Sequence, residues 1–245
     1  MEDVRGMENS WVTRRITRIN ANGRQVVDDR LLREETYSIF RGEEKVVALN
    51  CLPLFLEQLA VGHLFSRDML RNRDDIARIK ADPISCAVQV DLKPHPMEKQ
   101  TAPDPGEEIS LTVEDIHRLQ DSFNERCDLF RKTGAAHSCA LAEPGGITVF
   151  MEDAARHNAL DKVIGEMILT GIPPAGKALI FSGRLALDML EKASRCEVKL
   201  LIAPGAPSSS AVEYAERGGL TLLGFVRRDN VNIYTHPHRV SYPEI

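Results

Sequence analysis

The chain has 245 residues, 31 Lys and Arg against 36 Asp and Glu, and a net charge of −5, a balance that argues against a nucleic-acid binder working by phosphate neutralisation. With 43% hydrophobic and 27% charged residues it has the make-up of a globular protein able to bury a full core. Its one long apolar-looking stretch, Leu52 to Leu70, is interrupted by Glu57, Gln58, His63, Arg67 and Asp68 and so is no membrane span.

The opening MEDVRGMENSW carries early acids and no apolar signal core. Five cysteines at 51, 86, 127, 139 and 196 form no CxxC pair and suit a reducing compartment. A cytoplasmic protein without disulfides or a metal site is expected. Residues 1–10 read as a loose tail. From Trp11 to Cys51 the chain reads as short strands, clearest at Glu35–Phe40 and Lys45–Cys51 around a turn at Arg41-Gly42. A helix is predicted over Leu52 to Leu70 with Pro53 in its first turn. Strands follow near Ile76–Ile79 and Ile84–Leu92. The segment Lys93 to Glu108, with four prolines, is expected to be a mobile loop.

Thr112 opens a helix with Asp115 three residues on, close to a capping box. Ile116, Leu119, Phe123, Cys127 and Phe130 fall on one helical face, and Gly134 ends the helix. Thereafter strands at 137–142, 147–151, Ala178–Phe181, Val198–Ile202, Leu220–Val226 and Val231–Thr235 alternate with helices near Asp153–Leu169, Leu185–Ser194 and Ser209–Arg217. This rhythm predicts an α/β sandwich with parallel neighbours over 112–245, preceded by a β-rich portion with one helix over 11–111.

In such a sheet, ligands bind beyond the carboxyl ends of the strands. Two crossovers have suitable composition: Ser182-Gly183-Arg184, and Ala203 to Ser210 with Ala206, Ser208 and Ser209. Small residues admit a ligand to the backbone, free N–H groups favour an anion such as phosphate, and Arg184 adds a planar donor. The plainer account is tight turns with serine caps. A second polar cluster opens the helix after Asp153. There His157 and Asp161 share one face and Asn158 and Lys162 another, beside Arg156. The bland account is a solvated face with one ion pair. His137 and Cys139 lie two apart on one strand, a spacing of about 6–7 Å, so core packing is the expected role for Cys139. Arg227 and Arg228 end the last long strand as a phosphate clamp or an exposed turn. His137, His157 and Asp161 are the candidates for a catalytic role.

Together the run from Glu152 through Arg156-His157-Asn158-Ala159-Leu160-Asp161-Lys162 to Gly165, then Phe181-Ser182-Gly183-Arg184, Ala206-Pro207-Ser208-Ser209, Gly224-Phe225-Val226-Arg227-Arg228 and Asn232 to Pro237, resembles the formate dehydrogenase accessory sulfurtransferase family (FdhD). The resemblance covers roughly residues 30 to 240. It implies a three-layer α/β/α fold similar to the cytidine deaminases, a homodimer, and transfer of sulfur from a cysteine desulfurase to the molybdenum or tungsten bis(guanylyl-pterin) cofactor of formate dehydrogenase. It also implies that Phe225, Val226, Arg227, Arg228, Asp229 and Asn230 touch that guanine-nucleotide-bearing cofactor. The sequence departs from the family where the CGxCG sulfur-carrying loop belongs, since Asp91 to Glu108 contains no cysteine, and at Ala135, Ala154 and Ala155, where the family has glycine. Two other readings are a scaffold for a client oxidoreductase and a zinc deaminase. The latter needs H-x-E and P-C-x-x-C, and neither occurs.

Overall fold

The computed structural model describes residues 10–94, 108–227 and 230–242. Most of the expected loop at Lys93 to Glu108, the first nine residues of the expected tail, and Arg228 and Asp229 lie outside the described residues.

The first element is a hairpin longer than the sequence suggests. Strands β1 (Trp11–Asn20) and β2 (Gly23–Leu32) pair antiparallel without a break from Trp11↔Leu32 to Asn20↔Gly23. Both faces are largely exposed, so the strands carry no apolar alternation that would reveal their length. A four-stranded sheet follows, built from β3 (Glu35–Arg41), β4 (Glu44–Cys51), β5 (Ile76–Asp82) and β6 (Ala87–Leu92) in the order β4-β3-β6-β5. Strand β6 begins later than the apolar pattern predicts. Asp82 accepts from Ile84 N at 3.0 Å and from Ser85 Oγ at 2.7 Å, which holds Ile84 in an exposed turn. Helix α1 (Leu56–Ser66) packs across this sheet on Leu59, Ala60, Val61 and Leu64. It is shorter than the predicted 52–70 because Leu52 is held elsewhere and Phe55 turns left-handed at φ 53°.

Next come β7 (Leu111–Thr112), α2 (Val113–Arg126), α3 (Asp128–Thr133), β8 (His137–Glu143) and β9 (Gly146–Asp153). Then follow α4 (Arg156–Thr170), β10 (Ala178–Phe181), α5 (Leu187–Arg195), β11 (Leu200–Ile202), α6 (Ser209–Gly218), β12 (Thr221–Arg227), β13 (Asn230–Thr235) and β14 (Val240–Ser241). The capping box of Thr112 and Asp115 starts α2. One continuous helix to Phe130 does not form. Arg131 donates to the carbonyls of Asn124 and Glu125, both at 2.6 Å, closing α2, while the Glu152 carboxylate accepts from Leu129 N at 3.2 Å at the start of α3. Phe130 is consequently exposed rather than in the core.

The central sheet runs β13-β12-β11-β10-β8-β9, with β10, β11 and β12 parallel and the flanking pairs antiparallel. Strand alternation divides its residues. Leu141, Leu179, Leu201 and Leu222 meet α4, α5 and α6 on one face, while Ala140, Ile180, Ile202 and Leu223 meet α2 on the other. The result is a three-layer α/β/α arrangement with a β-rich portion attached through α1.

That attachment is polar and fully buried. Lys162 Nζ lies 2.6 Å from Asp153 Oδ2, with neither side chain exposed. Lys162 also donates to Leu52 O at 3.1 Å, and Leu52 N donates to Asp153 Oδ2 at 3.2 Å. Asp153 Oδ1 accepts from Ala155 N and from Asn158 Nδ2, which in turn reaches Asn50 O at 2.8 Å. Beside this clamp, α1 and α4 touch backbone to backbone. A Cβ on Gly62 would stand 1.8 Å from Asp161 O, and one on Gly165 1.9 Å from Gln58 O.

Removing one partner of a buried pair leaves the other charge uncompensated, at a cost of about 3–5 kcal/mol. Lys162→Met is therefore expected to lower the urea-unfolding free energy by about that amount, and adding Asp153→Leu to recover part of it. A loss below about 1 kcal/mol for the single variant would show that the pair is not the clamp. Gly165→Ala is expected to destabilise by at least the overpacking cost of about 1–3 kcal/mol.

Candidate functional site

Three bends at the carboxyl ends of the parallel strands meet at one end of the sheet. The bend after β10 begins at Ser182, whose N–H donates to Ser138 O at 3.0 Å and whose Oγ accepts from Ser138 N at 2.9 Å. The bend after β11 lies against it. Leu185 and Pro207 form a parallel bridge, Ser208 N donates to Leu185 O at 3.0 Å, and a Cβ on Gly205 would sit 3.1 Å from Arg184 Cγ. The end of β12 completes the group. Phe225 N donates to Gly205 O and Val226 N to Ala203 O, each at 3.2 Å. Gly224 is required here, because a Cβ would come within 2.9 Å of the Tyr234 ring and 3.0 Å of Gly205 O.

The predicted residues occupy these bends in different ways. Gly183 faces open space and Arg184 is exposed across Gly205. Ser208 is the N-cap of α6, accepting from Ala211 N at 3.3 Å, with Ser209 exposed in the first turn and Ala206 half-buried. Val226 is core, and Phe225 stands partly exposed in a left-handed conformation at φ 51°. Asn230 Nδ2 donates to Phe225 O at 3.2 Å, tying the far side of the turn. Arg227 makes no ion pair among the described residues.

Two cavities open between these bends and α2. One, of about 510 Å³, is bounded by Pro204, Val226 and Arg227 and by the α2 residues His117, Gln120, Asp121, Asn124 and Glu125. The other, of about 310 Å³, is lined by Ser182, Ser138, His137, Ala136, Cys127 and Arg131 and shares Asn124 with the first. His137 thus faces the second cavity, while Cys139 is buried in the opposite layer. Volumes of this order suit a small molecule the size of one nucleotide. The small-residue bends give no sign of the α2 lining, although His117, Gln120 and Asn124 recur at helical spacing beside the core face.

The polar run at the start of α4 lies on the other face of the sheet. Asn158 and Lys162 turn inward as parts of the clamp. His157 and Asp161 line a separate cavity of about 360 Å³ between α1, α4 and α5. Asp161, fully buried, accepts from Lys192 Nζ at 2.7 Å and Ser66 Oγ at 3.0 Å and faces His63 Nδ1 at 3.4 Å. Arg156 Nη2 and His157 Nε2 each lie 3.0 Å from Asp188 Oδ2. Burial, with Lys192 nearby, pushes the His157 pKa down, so the ring is neutral at pH 7 and donates Nε2–H to the carboxylate. Burial opposes ionisation of Asp188, but the Arg156 hydrogen bond and the neighbouring charges outweigh it and lower its pKa. The structure therefore brings Ser182, Gly183, Arg184, Ala206, Ser208, Ser209 and Phe225 to Arg227 together with Asn230. It does not bring Arg156, His157, Asn158, Asp161 or Lys162 to them. Among the described residues, no three His, Cys, Asp or Glu side chains gather as a metal-ligand set, and no helix is long and apolar enough to cross a membrane.

Comparison with known proteins places this geometry in a lineage. A sequence profile of the FdhD/NarQ family matches residues 84–241. Sulfur carrier protein FdhD of Bacillus pumilus is 31% identical over 87% of this chain and 91% of its own, and that of Bacillus subtilis is 30% identical over the same shares. The protein of the same name from Shouchella clausii is 28% identical over 96% of this chain and 98% of its own. The crystal structure of a candidate formate dehydrogenase accessory protein from Desulfotalea psychrophila superposes with a TM-score of 0.84 at 27% identity, covering 94% of this chain and 99% of that one. On the strength of a profile that spans more than half of it, the chain belongs to the FdhD/NarQ family.

Proposed function

We propose that this chain is an accessory protein for formate dehydrogenase that holds the guanine-nucleotide end of a molybdenum or tungsten bis(guanylyl-pterin) cofactor at the three strand-end bends. The relatives named as sulfur carriers and the neighbour named for formate dehydrogenase support the client. The observation that carries the ligand is the packing of the three bends against one another beside a cavity of about 510 Å³, to which the second and third contribute Pro204, Val226 and Arg227. Backbone N–H groups and a guanidinium suit diphosphate oxygens. Bound there, the cofactor supplies the metal-dithiolene redox chemistry of the client. This chain's residues bind and orient its nucleotide, and a cavity of this size takes one nucleotide rather than the whole cofactor. Partner copies, a cysteine desulfurase as sulfur donor, and a cytoplasmic setting belong to the same reading.

The cysteines bear on whether sulfur itself passes through this chain. A persulfide carrier attacks as a thiolate, favoured by positive surroundings and exposure. Here burial pushes Cys51 up to about 12 and Cys196 up to about 11, and raises Cys139 well above the ordinary thiol value. Cys127 is also raised by burial, and its Sγ donates to Phe123 O at 3.2 Å. With no cysteine between Asp91 and Glu108, the proposed role is to hold and hand on the cofactor, with sulfuration at the usual loop set aside.

Two outcomes are expected. Millimolar GDP should raise the melting temperature by about 2 °C or more through selective binding to the folded state, and Arg227→Ala should remove most of that rise; an unchanged melting temperature with GDP contradicts the proposal. Iodoacetamide at pH 8 should leave Cys51, Cys139 and Cys196 unmodified in the native protein and modify all three in urea, read by mass spectrometry. Rapid native modification of any of them would reopen a carrier role at that thiol.

A further inference from the structure

The cavity of about 360 Å³ between α1, α4 and α5 lies on the face of the sheet opposite α2 and has no part in the nucleotide reading. In its wall stands His63, only 6% exposed, whose ring nitrogen Nε2 is buried without a hydrogen-bond partner among the described residues. The other ring nitrogen fixes the tautomer. Nδ1 lies 3.4 Å from Asp161 Oδ2, an oxygen that already accepts from Lys192 Nζ at 2.7 Å, so the carboxylate accepts from both and Nδ1 carries the proton. Nε2 is left as a bare lone pair. A buried acceptor without a donor is unfavourable, and in a cavity wall it marks where a ligand donor belongs.

The charged groups around this cavity pair off until two remain. Lys192 is matched by Asp161, Asp188 by Arg156 and His157, and Arg195 by Asp68. Arg67, four residues after His63, and Glu191, three residues after Asp188 on α5, also line the cavity; both are exposed, and neither makes an ion pair among the described residues. One lone pair, one carboxylate and one guanidinium are therefore unused on the walls of a single cavity. We propose that this cavity binds a small α-amino acid as its zwitterion, the ammonium donating to His63 Nε2 and Glu191 and the carboxylate accepting from the Arg67 guanidinium. An ammonium brings three donors, enough for both acceptors, and the parallel N–H groups of a guanidinium match a carboxylate. The volume is at the small end of ligand pockets, which favours a molecule of amino-acid size. Because the remaining charges in the wall already have partners, an uncharged side chain suits the site.

Titration calorimetry of the full chain with L-serine, L-serinamide and N-acetyl-L-serine tests the assignment, since the second lacks the carboxylate and the third lacks the ammonium. L-Serine is expected to bind with a dissociation constant on the order of 1 mM or tighter, and each analogue to bind about tenfold or more weakly, because each leaves a polar group of the wall unmatched. His63→Leu should weaken L-serine and remove most of its advantage over N-acetyl-L-serine. Arg67→Ala should weaken L-serine and remove its advantage over L-serinamide. No binding of L-serine, or binding of either analogue as tight as that of L-serine, overturns the zwitterion site. An L-serine affinity unchanged in both variants overturns its placement in this cavity. Arg67 is exposed, so Arg67→Ala keeps the test decisive should His63→Leu fail to fold.

Discussion

The rest of the molecule depends on a charge pair that water never reaches. Lys162 and Asp153 face each other at 2.6 Å with no exposed surface, and between them they satisfy both backbone groups of Leu52, more than 100 residues away in the chain. Isolated, either charge would be expelled from such surroundings; paired and hydrogen-bonded, each holds the other in place. Such a pair adds specificity of placement more than net stability. It fixes one position of α1 against α4, and the contacts at Gly62 and Gly165, where no Cβ fits, fix the distance. The placement of the four-stranded sheet beside the three-layer portion, and the break at Leu52 before α1, follow from that junction.

The clamp has a consequence for function. It draws Asn158 and Lys162 inward and turns the start of α4 to the face of the sheet opposite α2. Asp161 is engaged there by Lys192 and Ser66, and Asp188 by Arg156 and His157, so both carboxylates already have partners within the chain. The bends at the ends of β10, β11 and β12 differ. They bring small residues, backbone N–H groups and Arg227 to one edge, with an acceptor-rich helix across from them. Complementary partial charges on two walls of one cavity suit a ligand that is anionic at one end and a hydrogen-bond donor at the other.

How much of this could be read from the chain follows from the range of each interaction. The bends at Ser182-Gly183-Arg184 and Ala203 to Ser210 were legible because small residues between a strand and a helix act locally. The capping box at Thr112 and Asp115 was legible for the same reason. The polar run Arg156 to Lys162 was visible as a cluster, yet its direction was not. An i, i+4 spacing places His157 with Asp161 and Asn158 with Lys162, but that the second pair joins the clamp is set by Asn50 and Leu52, distant in sequence. The break at Cys127 was hidden by apolar residues that kept helical spacing across it, while Arg131 and Glu152 supplied the competing hydrogen bonds. Gln120 was not legible because a glutamine bordering an apolar helix face ordinarily faces water; the burial of its unpartnered Oε1 exists only once β12 and the bend at Pro204 are packed beside it.

The most direct test of the account is a crystal structure of the protein grown with GDP. The account predicts nucleotide density between α2 and the strand ends, with the diphosphate beside Arg227 and the backbone of the bend at Pro204. Density in the cavity between α1, α4 and α5, with phosphates on His157 and Lys192, would contradict it, because the site would then lie on the opposite face of the sheet from the strand-end bends.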